Sequence, residues 1–304
     1  KKIRSKDFAA VIVTSPSYEG YVLDLEKIYK ECKKANVPLV VDLAHGSHFI
    51  LNDYWSNNFD IAITSFHKNL SALTPSACVL INDKKYFPEI KRNMAIFQTS
   101  SPSYIIMQSI DDMVDNFSEF NNLYKTLNKE LNDLYKLKLN HLKLIDHPIK
   151  DRSKILISTT NTNINGSTLQ EFLKKEMIEI EMAYPSYALL IATIFDKKFG
   201  FEMLKNALTK IDQSLSYKDN KINLSYQIPA RKLNISDAIL TSKKFISLEK
   251  ASGYVSGQFV YAYPPGIPLV VPGEIINEKI INDINNMIAC GTNVNLNKDI
   301  LIID

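Results

Sequence analysis

Cysteine is scarce and scattered. Cys32, Cys78 and Cys290 are the only three, far apart, with neither metal-ligand spacing nor a disulfide framework, which suits a reducing, cytoplasmic setting. Charge of one sign is also lacking. The 36 basic and 33 acidic residues leave a net +3, too weak a field to favour nucleic acid or a membrane surface as a partner. No apolar run reaches the roughly 18 residues of a membrane-spanning helix, no secretory leader opens the chain, and no internal repeat is found. Lys33-Lys34 and Asn121-Asn122 read as solvated surface. What is there is globular material: 304 residues, 45% hydrophobic and 23% charged, enough for a core and, by length, two domains.

The first hundred residues alternate strand and helix. Residues 11–13 form a β-rich run, residues 23–35 carry Leu25, Ile28, Tyr29 and Cys32 at helical spacing, and Asn36-Val37-Pro38 stops that helix before Leu39-Val40-Val41. A strand–helix–strand unit implies a parallel sheet with a right-handed crossover. Residues 61–64 and 77–81 add two strands, and their continuous apolar runs predict burial on both faces. Residues 103–137 predict one core-facing helix on the stripe Met113, Phe117, Phe120, Leu123, Leu127, Leu131 and Leu134.

Residues 154–158 then read as a strand. Ser167-Thr168-Leu169-Gln170 reads as a capping box opening a helix to 177. Residues 178–182 alternate like a strand, and 201–215 predict a helix. Tyr263-Pro264-Pro265-Gly266-Ile267-Pro268 and Val271-Pro272-Gly273-Glu274 predict a rigid, shaped loop. The amphipathic run 278–289 has Gly291 as its stop. The whole is α/β, with a smaller α/β domain after the first.

Two strand ends carry chemistry. Leu39-Val40-Val41-Asp42-Leu43-Ala44-His45-Gly46-Ser47-His48 ends a strand on an acid, and Asp60-Ile61-Ala62-Ile63-Thr64-Ser65-Phe66-His67-Lys68 ends the next on a lysine. Ligands of open α/β sheets sit at such ends. The pair suits pyridoxal 5'-phosphate (PLP). Asp42 would keep the pyridine nitrogen protonated, and Lys68, its pKa lowered by desolvation beside a cationic cofactor, would form the Schiff base. Ser65 and His67 would donate to the phosphate, and Ala44 is small enough for the ring to lie against the backbone. A metal cluster of Asp42, His45 and His48 is the weaker alternative, because no helix aligns the histidines and no further ligand completes the shell. His48 reads instead as a polar wall or satisfied core residue. Cys78 reads as packing within a strand, and Trp55 with Tyr54 as loop packing.

Further segments bear a family pattern. Ser15-Pro16-Ser17-Tyr18-Glu19-Gly20, Asp42 to Phe49, Ser65 to Leu70, Thr99-Ser100-Ser101-Pro102-Ser103-Tyr104, Glu181-Met182-Ala183 and Tyr263 through Glu274 run along the chain in order. From residue 9 to residue 303 the sequence resembles the Orn/Lys/Arg decarboxylases, in the short form without an N-terminal receiver-like domain. The resemblance implies a partial fold type I PLP-binding large domain at 1–137, with a mostly parallel sheet and flanking helices, and a small α/β C-terminal domain at 138–304. It implies decarboxylation of arginine, lysine or ornithine to the amine, in polyamine-related metabolism, by a homodimer or higher homo-oligomer.

The resemblance also assigns roles. Lys68, His67 and Asp42 are the catalytic residues, with Lys68 or His67 returning the proton to the substrate carbon. Asp42, Ala44, His45, Ser65, His67, Lys68, Thr99 and Ser100 bind the cofactor, the last two across the subunit interface. Glu181 and Glu274 are candidates for the substrate's distal cation, and equally for structural ion pairs. Leu43 and Phe66 stand where relatives carry Glu and Thr, and Ser17 where they carry Thr. The chain opens on Lys1-Lys2-Ile3-Arg4 without Met, so an upstream segment holding the phosphate loop and ring-stacking residue is expected. Two other readings stay open. One is a different fold type I enzyme, such as a cysteine desulfurase or aminotransferase. The other is an inactive homologue that pairs with an active subunit.

Overall fold

The computed structural model describes residues 8–219, 228–263 and 266–303. These divide into two compact units. The first holds Lys1–Leu137, Asp146–Ile155 and Ile191–Glu202; the second holds Lys138–Ile145, Leu156–Leu190 and Met203–Asp304.

The first unit is built on a sheet of order β1-β2-β3-β4: Val11–Thr14, Leu39–Asp42, Ile61–Ser65 and Ala77–Ile81. Strands β1, β2 and β3 are parallel, and β4 returns antiparallel to β3. Helix α1 (Leu25–Lys34) makes the β1–β2 crossover. Asp24 caps it, accepting the Lys27 amide at 3.0 Å, and Lys33 and Lys34 complement the dipole at its other end. Asn36, at φ 53°, turns the chain out of the helix. Helix α1 buries Leu25 and Cys32 in one core with Leu39, Val41, Leu43, Phe49, Phe59 and Ala62, against which Tyr54 and Trp55 pack. Each full-sized apolar side chain buried here contributes about 1.5–3 kcal/mol.

Asp60 ties the crossover down. Its fully buried carboxylate accepts the Leu39 amide at 2.8 Å and pairs with Lys33 at 2.5 Å. Lys33 is exposed, as its run with Lys34 implied, yet it is paired; the Asp60 hydrogen bond, acting against burial, raises its pKa.

Burial on both faces is also corrected. Strand β1 half-buries Val11 and Val13 on the α1 side, while Ile12 on the other face is 73% exposed and Ile63 of β3 is 38% exposed. The runs are continuous in sequence, yet among the described residues the second face has no cover over Ile12.

After β4 come α2's successors: α3 (Phe87–Phe97), α4 (Tyr104–Asp115) and α5 (Phe117–Leu134); α2 itself (Phe66–Asn69) follows β3 directly. The single helix expected over 103–137 is two. Asn116 ends α4 and starts α5, with φ −87°, ψ 5° and its side-chain amide donating to Asp112 O at 2.7 Å. An asparagine that bonds its own backbone competes with the helix ladder. The apolar stripe continues because α5 alone buries Phe120, Leu127, Leu131 and Leu134.

The second unit holds most of a sheet of order β5-β6-β8-β7 (Lys143–Leu144, Lys154–Ser158, Tyr187–Ile191 and Met182–Tyr184) and of helices α6 (Gly166–Lys175) and α7 (Lys198–Gln213), while residues 154–155, 191 and 198–202 of these elements belong to the first. Asp212 of α7 gathers the amides of Asn140, His141 and Leu142 at 2.6–2.9 Å. Helix α8 (Ile235–Leu240), β9 (Lys243–Ser247), β10 (Val260–Ala262), β11 (Ile267–Val270), α9 (Glu278–Ala289) and β12 (Asp299–Ile303) complete it, with β9 paired to β12 and β10 to β11.

Three expectations change here. The cap of α6 is Asn165, accepting Thr168 N–H at 2.8 Å; Ser167 lies inside the helix and donates to Cys290 O instead. The strand expected at 178–182 begins only at Met182, where pairing with Leu189 starts. The tail motif is a β-ribbon rather than only a loop. Pro268 is tolerated within β11 because a two-stranded ribbon leaves each strand an unpaired edge. Pro264 and Pro265 lie outside the described residues. Helix α9 has the expected bounds, and Gly291, at φ 76°, follows its cap.

Candidate active site

Parallel register brings the functional segments to one sheet edge. Thr14 pairs with Asp42 at the carboxyl ends of β1 and β2, and Asp42 pairs with Ile63, two residues before β3 ends at Ser65. Beyond β2 the backbone turns at once. Leu43 N–H donates to Ile63 O at 2.7 Å, and Ala44 N–H to Asp42 Oδ1 at 3.0 Å. That leaves Asp42 further acceptor positions, since a carboxylate offers about four. Beyond β3, α2 starts with Phe66 N–H donating to Ser76 O at 3.1 Å. The two sequence segments meet where Lys68 Nζ lies 3.2 Å from His45 Nε2.

Ser65 sits at the cap of α2 without spending its hydroxyl on a cap bond. His67 Nδ1 lies 2.9 Å from Ser76 O and 3.1 Å from Ser76 N, which pins the ring and leaves Nε2 for a ligand. Lys68 is exposed, so the desolvation expected to activate it is not supplied by the described residues.

His45 is the centre of the cluster. Its Nδ1 lies 3.4 Å from Lys154 Nζ, and the Tyr18 ring meets it edge-on with centroids 4.6 Å apart. Burial first, then the charges of Lys154, Lys68 and His48, lower its pKa to about 3, so the ring is neutral at physiological pH. Lys154 is fully buried in β6, and Gly20 backs onto its stem: a Cβ there would fall 2.8 Å from Lys154 Cβ and Cγ. Sequence reasoning missed Lys154, because a lysine opening a strand reads as an edge residue. The Ser-Pro-Ser-Tyr-Glu-Gly turn held the signal, since Tyr18 and Gly20 touch His45 and Lys154.

Behind them His48 Nε2 pairs with Asp151 Oδ2 at 2.9 Å, both buried, and Ser153 donates to Asp151 Oδ1 through N–H and Oγ. Burial alone would raise the Asp151 carboxyl. The charge and hydrogen bond of His48, with Lys154 and Ser153, overcome this and hold it well below the usual carboxylate range. His48 is thus a core histidine paired through Nε2 but not fully satisfied, since its Nδ1 is buried without a hydrogen-bond partner among the described residues.

Other named residues lie elsewhere. Thr99 and Ser100 are exposed between α3 and α4, and Thr99 Oγ1 bonds locally to Ser101. Glu181 and Glu274 belong to the second unit. Glu274 Oε2 accepts Val271 N–H at 2.9 Å, closing its own turn. Cys78 is half-buried in β4, and burial raises its thiol pKa. No cluster of three potential metal ligands occurs among the described residues. Leu43, one of the two departures from the family pattern, is a core residue on the α1 side, and Phe66, the other, opens α2 through its backbone N–H to Ser76 O.

The fold matches that of known enzymes. It superposes on the Francisella novicida lysine decarboxylase with TM-score 0.78 at 17% identity, covering 100% of this chain and 59% of that one. The Plasmodium yoelii ornithine aminotransferase matches at TM-score 0.52 and 16% identity, over 70% of this chain and 59% of that one. The fold class is that of fold type I enzymes, as expected from the sequence. The family model for the Orn/Lys/Arg decarboxylase major domain matches residues 1–147, and that for the C-terminal domain of the same family matches 229–292. The chain belongs to the Orn/Lys/Arg decarboxylase family. The arginine decarboxylase of Bacillus subtilis is 27% identical over 94% of this chain. The chain spans 63% of that relative's length.

Proposed function

We propose that the protein to which this chain belongs is a PLP-dependent decarboxylase of a basic amino acid, with Lys68 as the cofactor lysine. The observation that carries this is the meeting of Lys68 with His45 on the turn that follows Asp42. The residues present fit the cofactor. Asp42 has acceptor capacity for a ring nitrogen, Ala44 leaves room beside the backbone, and Ser65 and His67 offer donors to a phosphate. Thr99 and Ser100 would complete the site across a dimer interface. PLP, when bound, supplies an electron-withdrawing ring that takes up the electrons released from the breaking Cα–carboxylate bond. Asp42 would keep the proton on the ring nitrogen, Lys68 would anchor the group, and Lys68 or His67 would return a proton to the substrate carbon.

Arginine is the substrate to test first, because the matched sequence relative from Bacillus subtilis bears that activity in its name. The product would be an amine feeding polyamine metabolism. Homodimer formation is supported by the exposed Phe97, Tyr104 and Ile105 around the end of α3 and the start of α4. A cytoplasmic site of action is supported by three unpaired cysteines. No described helix is long and apolar enough to cross a membrane. The core position of Leu43 favours an active enzyme over an inactive pairing partner, since that departure does not alter the cluster around Lys68. The test is CO2 release by the full-length protein from arginine, lysine and ornithine. Release from one of the three, lost in Lys68→Ala, is expected; release from none contradicts the proposal.

A further inference from the structure

We infer that Lys154 is a positioning residue for the cofactor lysine and acts through His45, by fixing which imidazole nitrogen carries the proton. The inference rests on the assignment of Lys68 above. His45 lies between two amines, with Lys154 Nζ at 3.4 Å from Nδ1 and Lys68 Nζ at 3.2 Å from Nε2. A neutral imidazole has one N–H and one lone pair, so it can accept from one ammonium and not from two.

The surroundings decide which. Lys154 is fully buried, and its charge acts on the Asp151 carboxylate, which His48 and Ser153 also hold well below the usual carboxylate range. Burial opposes the ammonium form of Lys154 and the opposite charge of Asp151 favours it; an ammonium only donates. Lys154 therefore donates to Nδ1, Nε2 keeps the proton, and His45 presents an N–H to Lys68. Only the unprotonated amine can accept this bond, and that form is the nucleophile; with the proton on Nδ1 instead, Nε2 would accept from a Lys68 ammonium, which has no lone pair to attack with. Among the described residues, the Tyr18 ring and the charge of His48 also act on His45. Gly20 and Tyr18 hold the arrangement from one turn, Gly20 by admitting the Lys154 stem and Tyr18 by bracing the His45 ring.

The test is the tautomer of His45, read by 15N NMR on full-length protein labelled at histidine and freed of PLP. A pyridine-type Nδ1 resonance and a pyrrole-type Nε2 resonance are expected. The reverse pattern overturns the inference without any variant. In Lys154→Met, which keeps the stem and removes the charge, the Nε2–H preference should be lost and acylation of Lys68 at neutral pH should slow several-fold. An unchanged tautomer and labelling rate in a folded Lys154→Met protein would also overturn it. Both readouts are taken without cofactor, so they stand apart from the assignment of Lys68: that assignment fails if PLP does not attach to Lys68, whatever the tautomer.

Discussion

The buried polar residues of the first unit fix its site through pairs, and each pair predicts what its loss does. Asp60 satisfies the Leu39 amide and Lys33 from a fully buried position. Asp60→Ala leaves that amide unpaired and should cost about 1–3 kcal/mol, read as a lower urea midpoint. Asp151 works by charge. Its folded pKa lies below its unfolded value of about 3.9, so its contribution is fully present above that value and is lost as pH falls through the folded value. Stability should therefore decline on acidification below about pH 5, and Asp151→Asn should flatten that decline, as measured by chemical denaturation from pH 7 to pH 3. Removing one partner of such a buried pair is also expected to cost about 3–5 kcal/mol at neutral pH. Gly20→Ala would set a Cβ at 2.8 Å from the Lys154 stem on a backbone with φ +95°. It should destabilise by about 1–3 kcal/mol.

Elements repeat the lesson with backbone in place of charge. Gly166 opens α6 so close to the β7–β8 turn that a Cβ would fall 2.1 Å from Tyr184 O and Tyr187 O. Neither carbonyl is a flexible chain end, so Gly166→Ala should destabilise the protein by at least about 1–3 kcal/mol, seen as a lower denaturation midpoint. Elements with strong periodicity were legible in the sequence. The strands at residues 77–81 and 154–158 and the helix at 278–289 have the bounds that apolar pattern and stop signals predict. Periodicity failed where a side chain redirected the backbone. Asn116 splits one apolar stripe into two helices, and Asn165 takes the cap that the sequence pattern assigns to Ser167. Strands β9 and β12 went unread because their partners are some fifty residues apart and pairing, not local pattern, defines them. At the candidate site, type and position in the sequence single out Asp42 and Lys68, and the family resemblance adds His45. Lys154 was not legible, since its role arises from a contact more than a hundred residues away in sequence.

At the scale of the whole molecule, two apolar surfaces carry the account. One is the sheet face bearing Ile12 and Ile63; the other holds Phe97, Tyr104 and Ile105 around the end of α3 and the start of α4. Exposed apolar clusters of this kind mark interaction sites. The proposed homodimer predicts that the full-length protein sediments as a dimer and that Phe97→Asp with Ile105→Asp shifts it toward monomer. A dimer unmoved by both charges would place the interface elsewhere. The family's chemistry, by contrast, hangs on one amine. Full-length protein incubated with PLP should develop a visible absorption band that borohydride fixes, and peptide mapping should find the reduced adduct on Lys68. A band that persists in Lys68→Ala, or an adduct mapped to Lys154 or any other lysine, would contradict the account.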